Sequence, residues 1–315
     1  MSVRSSARSK YTPVEAATQG VGGNVNMGIM VVTHHRTKYT YIEKRAYPDL
    51  INQGHTHNEI KVMQKCNGHP NIVFVQDYDL EYHRLGYGSI YLQHAELGSL
   101  DALIGRYIQY RTALPDEGFA WKILWNLSTA LAYLQTGQKA RDVRRFAGAG
   151  RPVPVLPGWD PIWHRDIKPS NIFMTWADSL GFDGKQYPTV LLGDFGCAVT
   201  GEQVLAGRGD PRQVPGNDPT FSSPEHPYYS DKSDVYSLGL ATLCLANRTQ
   251  SPPGISAIAG ASAPLRTVVG KCMMLQERDR PSRQELPSLV WWGYQSWIAG
   301  RRDCGQSLPS WAFGP

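Results

Sequence analysis

The stretch from His164 to Asn171, which reads His-Arg-Asp-Ile-Lys-Pro-Ser-Asn, constrains the fold of this chain more than any other. It brings together a carboxylate that can accept a proton, an ammonium group that can neutralise negative charge, and an amide oxygen suited to a hard cation such as Mg²⁺. A second motif, Asp194-Phe195-Gly196, follows a short hydrophobic strand pattern further along the chain. A chance surface loop could hold some of these residues, but it would not be expected to match every defined position of both motifs.

The pattern H-R-D-x-K-P-x-N resembles the catalytic loop of eukaryotic serine/threonine protein kinases, and D-F-G resembles their metal-binding tripeptide. The resemblance implies that Asp166 is the catalytic base and that Lys168 and Asn171 stabilise the phosphoryl group during transfer. It also implies that Asn171 and Asp194 bind Mg²⁺. Lys168 and Pro169 favour a protein Ser or Thr as substrate, because small-molecule kinases that share the broad fold seldom have this pair.

A glycine-rich segment near the N-terminus resembles the phosphate-covering loop of these kinases, G-x-G-x-x-G-x-V. Glycines let backbone N–H groups approach phosphates without a Cβ clash. Gly20, Gly22 and Gly23 are therefore candidate nucleotide contacts. Val25 stands where the third glycine of the pattern is usual, and the alternative interpretation is a flexible turn.

Two strand patterns joined by a polar turn cover residues 28–33 and 39–44. By the resemblance, Lys44 is the strand lysine that grips the nucleotide phosphates, and Ile42 lies over the adenine where Ala is usual. Glu59 stands in a segment with helical spacing and would pair with Lys44. The motif His-Pro-Asn-Ile-Val at residues 69–73 resembles the segment that follows this helix in many kinases.

Residues 87–93 alternate like a strand that ends at a hinge. The resemblance implies that Leu92 guards the pocket behind the adenine, and that the backbone of Gln93 to Ala95 hydrogen bonds to the adenine edge. Phe173, just after the catalytic loop, is a candidate floor for the adenine ring. The alternatives are an ordinary strand end and an ordinary core aromatic.

The larger half begins with a long amphipathic pattern over residues 117–135. An insertion at residues 136–160 is rich in Arg, Gly and Pro, which predicts a flexible segment. Its positive charge could attract an acidic or phosphorylated partner, or it could be a solvated loop with no partner. By the resemblance, Glu225 pairs with Arg280, and Asp234 caps the backbone of the catalytic loop.

The segment from Cys197 to Ser222 corresponds to the activation loop of these kinases. Arg165 is the residue type that captures a loop phosphate in such enzymes. The segment is nevertheless poor in hydroxyl groups, so control by phosphorylation is not predicted from it.

The resemblance implies an α+β, two-lobed fold, in which a small β-rich N-lobe with one helix precedes a larger, mostly α-helical C-lobe. The expected boundaries are a disordered basic tail at 1–15, an N-lobe at 16–93, a hinge at 93–98, a C-lobe at 99–297 and a loose C-terminal tail at 298–315.

The predicted function is that of an ATP-dependent serine/threonine protein kinase with ATP and Mg²⁺ as cofactors and Asp166 as base. The forms L-G-D-F-G and H-P-N-I-V look most like those of NIMA-related kinases. The alternative is a weak or inactive pseudokinase scaffold that binds nucleotide and protein partners. That alternative draws on Ile42, on the partial glycine-rich match and on residues 216–221, which resemble G-T-P-x-Y but have Asn or Asp where Thr is usual.

Composition limits the partners and the location. The net charge of +5, from 32 basic and 27 acidic residues, is modest, so no nucleic-acid partner is expected. The longest apolar run, Leu238 to Ala246, is too short to span a membrane. Five scattered cysteines without metal-ligand spacing fit reduced thiols in an intracellular compartment, cytoplasmic or nuclear.

Overall fold

The computed structural model describes residues 6–16, 26–176, 187–207, 218–252, 260–299 and 305–314. Within these ranges the chain forms two lobes, one built on an antiparallel sheet and one mostly helical. This confirms the predicted α+β, two-lobed fold class.

The N-lobe sheet has five strands in the order β1-β2-β3-β5-β4. Their bounds are β1 Tyr11–Ala16, β2 Ile29–His34, β3 Thr40–Ala46, β4 Val75–Asp79 and β5 Gly88–Gln93. In the register of β3 and β5, Ile42 lies opposite Leu92 and Lys44 lies opposite Ile90. Because side chains alternate between the faces of a strand, Ile42 and Lys44 lie on the same face of the sheet.

The prediction of a disordered tail at residues 1–15 is wrong for the part that the structure describes. A 3-10 helix at Ala7–Lys10 leads into β1, which pairs with β2. Arg8 donates to the backbone oxygens of Asp79 and Tyr87 at 3.0 and 2.7 Å, and the Tyr11 ring stacks on Tyr91 with the ring centroids 3.8 Å apart. The composition of this segment does not indicate these acceptors, because an arginine that has a hydrogen-bond partner in the fold looks the same in the sequence as a solvated arginine.

Two helices, rather than the one expected, lie between β3 and β4. They are α1 at Pro48–Asn52 and α2 at His55–Cys66. Pro48 suits the first turn of α1, and Gly54, at a φ of 82°, separates the helices in a conformation that favours glycine. The longer helix, α2, buries Glu59 and Met63.

The C-lobe is organised around α4, which is buried nearly throughout because its apolar residues cover all of its faces. The described helices of this lobe are α3 Leu100–Gln109, α4 Gly118–Thr136, α5 Ala140–Gly148, α6 Gly201–Leu205, α7 Ser233–Asn247, α8 Ala263–Cys272 and α9 Leu286–Ile298. Short strands form two further pairs, β6 Ile162–Trp163 with β9 Val199–Thr200, and β7 Ile172–Thr175 with β8 Thr189–Leu192. Among the described residues, no helix combines the length and apolar character needed to cross a membrane.

The expectation of flexibility in the insertion at 136–160 is also wrong. The insertion contains α5, whose Val143 and Ala147 are fully buried, and the chain after it buries Val153. Val153 and Gln284 exchange two hydrogen bonds, of 3.0 and 2.8 Å, which fasten the insertion beside the start of α9. Val143 and Ala147, which are four positions apart, form the buried face of α5. This helical spacing was not recognised in the sequence because arginines surround both residues.

The described part of the C-terminal tail is not loose either. A 3-10 helix at Ser310–Phe313 lies against α3. The Trp311 ring stacks on Tyr110 with centroids 4.4 Å apart, and Arg106 donates to the backbone oxygen of Ala312 at 2.8 Å. This segment therefore packs as part of the C-lobe.

Candidate active site

Three charged residues from separate elements meet between the lobes. Lys44, on β3, donates from Nζ to Glu59 Oε1 on α2 at 2.7 Å and to Asp194 Oδ1 at 2.8 Å. Asp194 follows β8 in a left-handed conformation, with a φ of 58°. The structure thus joins Lys44 to Glu59, as expected, and adds a direct contact with Asp194.

The charges of this cluster support one another. Burial alone would lower the pKa of Lys44, but the carboxylates of Asp194 and Glu59 outweigh it and raise that pKa. Burial would likewise raise the pKa of Asp194, yet Lys44 lowers it to about 2. Burial raises the pKa of Glu59, and Lys44 opposes that rise. Lys44 therefore stays protonated and Asp194 stays ionised near neutral pH.

The motif His164–Asn171 is hydrogen bonded to a carboxylate on α7. The backbone N–H groups of His164 and Arg165 donate to the two carboxylate oxygens of Asp234 at 3.0 and 2.9 Å. This confirms the predicted cap. The His164 ring lies 3.0 Å from the backbone oxygen of Gly193 through Nε2, and it packs edge-on against Phe195 at a centroid distance of 4.7 Å. These contacts join the two predicted motifs into one site.

Asp166 lies at the centre of a second polar cluster. Its Oδ2 accepts from Lys168 Nζ at 2.9 Å and from Asn171 Nδ2 at 2.9 Å. Asn171 Nδ2 also donates to the backbone oxygen of Asp166, so the amide of Asn171 turns its nitrogen toward the aspartate. Burial raises the pKa of Asp166, and the Lys168 ammonium opposes that rise. The cluster holds a carboxylate, a cation and an amide in fixed relative positions.

A buried apolar column lies behind these polar groups. Met63, Val75 and Phe195 belong to the same core cluster and are 0%, 5% and 0% exposed, and His164 beside Phe195 is 0% exposed. The helix α2 packs on the 3-10 helix at Phe195–Cys197. All four side chains are therefore buried, and α2 contacts the segment that carries Phe195.

The other residues predicted to contact the nucleotide fall partly within the described residues and partly outside them. Ile42 and Phe173 are partly buried and pack against the main core. At the hinge, the backbone N–H of Gln93 donates to Phe74 at 3.0 Å, and the backbone oxygen of Ala95 accepts from Gly98 at 3.0 Å. These positions stay predictions as nucleotide contacts. The predicted phosphate-loop glycines, Gly20, Gly22 and Gly23, fall in a stretch that is not described.

Sequence reasoning missed a polar contact that joins α2 to the segment after Phe195. Asn58 Nδ2 donates to the backbone oxygen of Ala198 at 2.9 Å, and Gln203 Nε2 donates to Asn58 Oδ1 at 2.8 Å. One signal was available, since Thr200-x-x-Gln203 has the form of a capping box. That signal predicts the start of a helix at residue 201, but it does not identify Asn58 as the partner.

Gly193 was also missed, and its role is steric. A Cβ at this position would lie 2.8 and 2.9 Å from two atoms of the Phe173 ring and 3.1 Å from the Val73 side chain. The residue before Asp194 therefore has to be glycine for β7 and the segment Asp194-Phe195-Gly196 to approach each other.

Gly193→Ala is expected to lower the free energy of unfolding by about 1–3 kcal/mol, because overpacking a closed core displaces its neighbours. Urea denaturation measures the change. Gly270→Ala on α8 is the matched control, since its Cβ would meet nothing within 4 Å. The control is expected to stabilise the protein by roughly 0.5–1 kcal/mol, as Ala does in a helix. Equal effects of the two substitutions would contradict the steric explanation.

No family model matches the chain. Its curated relatives include the G2-specific protein kinase nim-1 of Neurospora crassa, which is 30% identical over 195 residues, or 58% of this chain. Human serine/threonine-protein kinase Nek2 is 26% identical over 247 residues, or 73% of this chain. The probable serine/threonine-protein kinase nek2 of Dictyostelium discoideum is 30% identical over 202 residues, or 62%.

The matched segments cover only 20%, 48% and 38% of these three proteins, so the chain spans less than half the length of each relative. The similarity confirms the predicted resemblance to serine/threonine protein kinases of the NIMA-related type.

Proposed function

We propose that this chain is an ATP-dependent protein kinase that transfers the γ-phosphate to a Ser or Thr hydroxyl of a protein. The observation that carries the proposal is the meeting of two polar clusters at one site. In the first, Lys44 binds both Glu59 and Asp194; in the second, Asp166 binds Lys168 and Asn171. The names of the curated relatives support the same reaction class.

Each side chain has a role that its contacts make chemically reasonable. Asp166 accepts the proton of the attacking hydroxyl, and the raised pKa of its carboxyl makes it a better proton acceptor than an exposed aspartate. Lys168, 2.9 Å from Asp166, neutralises charge on the phosphoryl group in transfer. Lys44, held by Glu59, orients the phosphates of the nucleotide.

The oxygen donors of the site fit Mg²⁺. Asp194 is an ionised carboxylate whose side chain is 40% exposed, and Asn171 turns its amide nitrogen toward Asp166, which leaves its oxygen on the other side of the amide. Carboxylate and amide oxygens are the ligands that hard cations prefer. Asn171 and Asp194 would hold the cation, which supplies neutralisation of the phosphate oxygens when ATP is bound.

Within the described residues, the two polar clusters argue against the alternative of a pseudokinase scaffold, because Lys44, Glu59, Asp166, Lys168, Asn171 and Asp194 are all present and engaged as described. The proposal is tested with labelled ATP, Mg²⁺ and three basic peptides that are identical except for one Ser, Thr or Tyr. We expect label in the Ser and Thr peptides. Label in the Tyr peptide alone would contradict the substrate class.

The setting of the reaction is proposed to be a reducing, intracellular compartment, cytoplasmic or nuclear. Cys66, Cys244 and Cys272 are buried free thiols, and Cys197 is also buried. Buried free thiols of this kind are typical of proteins in reducing compartments.

The insertion around α5 forms a basic surface that is proposed to bind an acidic segment of a partner protein. Its exposed cations are Lys139, Arg141, Arg144, Arg145 and Arg151, and the only acidic residue among positions 139–151 is Asp142. Arg144 lies 5.6 Å from the centre of the Trp291 ring, and the neighbouring Trp292 is 52% exposed. Arginine and tryptophan are the residues that most often dominate binding at protein interfaces.

Reversing two charges on this surface, with Arg145→Glu and Arg151→Glu, is expected to weaken binding of a fluorescein-labelled decaglutamate peptide by about tenfold. Fluorescence anisotropy at low salt measures the Kd. The matched control reverses the exposed Arg36 and Arg278, so that net charge changes equally. If both variants bind the peptide equally weakly, the loss of affinity comes from the change in net charge. That result would contradict a local docking surface. Tighter binding of a DNA duplex than of the peptide would identify the wrong partner class.

A further inference from the structure

The residue before Glu59 joins α2 to the segment that follows Phe195. Asn58 uses both ends of its side-chain amide on this segment, donating to the backbone oxygen of Ala198 at 2.9 Å and accepting from Gln203 at 2.8 Å. Because Asn58 and Glu59 are neighbours on the same helix, these bonds fix α2 beside the point where Glu59 reaches Lys44.

Gln203 is itself held in one orientation. Its Oε1 accepts from the backbone N–H of Thr200 at 2.9 Å, and Thr200 Oγ1 accepts from the backbone N–H of Gln203, which together form the capping box of α6. The backbone N–H of Gly201 also donates to Pro161 at 2.8 Å. With its oxygen on Thr200, the amide of Gln203 can present only its nitrogen to Asn58.

In many kinases a phosphate on the activation loop orders this region instead. The middle of the activation loop of this chain has no hydroxyl group that could accept such a phosphate. Residues 201–218 contain no Ser, Thr or Tyr. Arg165, the residue type that captures such a phosphate, donates from Nε to the backbone oxygen of Cys197 at 2.7 Å. Its guanidinium also lies over the Tyr229 ring, 5.9 Å from the ring centre. The arginine is thus already ordered by contacts within the protein.

We infer that Asn58 and Gln203 are positioning residues that hold α2 in the catalytic orientation without phosphorylation of the activation loop. This inference rests on the proposed kinase function. Neither side chain belongs to the two polar clusters of the candidate active site. They act through Glu59, and so through the alignment of Lys44 with the phosphates. The fold itself therefore supplies the order that a phosphate supplies in kinases regulated by their activation loops.

Gln203→Glu isolates this contact. A carboxylate keeps the oxygen that accepts from Thr200 and so retains the capping box, but it replaces the donor to Asn58 by an oxygen that repels Oδ1. Gln64→Glu is the matched control, because Gln64 is exposed on the same α2 helix and undergoes the same change of charge.

We expect Gln203→Glu to lower kcat by about 3–10-fold, the effect of losing one or two partly buried hydrogen bonds, while Gln64→Glu stays within about twofold of the wild type. The KM for the peptide substrate should change less than kcat, because the substrate groove is not altered. In Asn58→Ala, adding Gln203→Glu should cause no further loss, since the two residues act through one contact. Treatment of the wild type with a phosphatase should leave kcat unchanged.

Hydrogen exchange across His55–Cys66 is measured on the same proteins and does not depend on activity. Faster exchange in Gln203→Glu with an unchanged unfolding midpoint would support the inference. Equal kcat and equal exchange in Gln203→Glu and Gln64→Glu would overturn it, as would loss of wild-type activity after phosphatase treatment. An inactive wild type in which Gln203→Glu still speeds exchange of α2 would contradict the proposed kinase function while supporting the positioning of α2.

Discussion

Asp166→Asn is expected to lower kcat by about 10²–10⁴-fold, the usual contribution of a positioned base. The substitution keeps the size of the side chain and leaves one oxygen that can accept from Asn171. It removes the charge that faces Lys168 at 2.9 Å and the lone pair that accepts the substrate proton. Initial rates of phosphate transfer at saturating ATP measure the effect, with thermal stabilisation by ATP and Mg²⁺ as the check that the nucleotide site is intact.

Asp279→Asn is the control for this substitution, because Asp279 has a side chain that is 45% exposed and lies far from the catalytic loop in sequence. Its kcat should match that of the wild type. A loss of less than about fivefold in Asp166→Asn would remove Asp166 as the base, since general-base catalysis contributes more than this.

Arg280→Ala is expected to lower the free energy of unfolding by about 3–5 kcal/mol, because it leaves the partly buried carboxylate of Glu225 without its cationic partner and opens a cavity in the core. The Arg280 side chain is 0% exposed and binds both oxygens of Glu225, at 2.7 and 2.6 Å, as the sequence predicted. It also donates to the backbone oxygens of Met274 and Leu275. Denaturant unfolding measures the loss, and Arg278→Ala, with a side chain 85% exposed, should change stability by less than about 0.5 kcal/mol.

The Glu225–Arg280 pair also predicts how that difference depends on pH. Burial would raise the pKa of Glu225, but hydrogen bonds from Arg280 and then Ser233 lower it from 4.5 to about 2. A carboxyl whose pKa is lower in the folded protein stabilises the fold fully above its unfolded pKa and loses that contribution as the pH falls through the folded value. The stability difference between wild type and Arg280→Ala should therefore be constant above pH 4.5 and shrink toward pH 2. A difference that grows on acidification would contradict this assignment.

The parts of the site that could be predicted from the sequence are those in which a side chain has one chemical role at a fixed spacing. Asp166, Lys168 and Asn171 lie within one loop, so their proximity follows from the chain itself. The pair of Glu225 and Arg280 was predictable for a different reason, because the motifs around both residues resemble those of a known family.

The parts that could not be predicted depend on partners that are distant in sequence. Arg8 looks like a solvated tail cation until Asp79 and Tyr87 supply acceptors 71 and 79 residues away. Val143 belongs to a helical face that its arginine neighbours conceal. Asn58 looks like an ordinary polar helix residue, and its partner Gln203 is 145 residues further along the chain.

The hinge contacts could not be predicted in detail from the sequence for a third reason. The expected adenine contacts of Gln93 and Ala95 use backbone atoms, and backbone hydrogen bonds do not depend on which side chain occupies the position. Sequence can therefore indicate where a hinge lies, whereas the direction of its free donors and acceptors follows from the packing of both lobes.

The central claim is tested most directly by the initial rate at which purified wild-type protein transfers labelled γ-phosphate from ATP to a generic basic protein. The rate is measured with Mg²⁺ and again with excess chelator. We predict Mg²⁺-dependent incorporation that is recovered as phosphoserine and phosphothreonine after hydrolysis. A wild-type protein that ATP and Mg²⁺ stabilise against heat, but that transfers no phosphate, would contradict the claim and identify a nucleotide-binding scaffold instead.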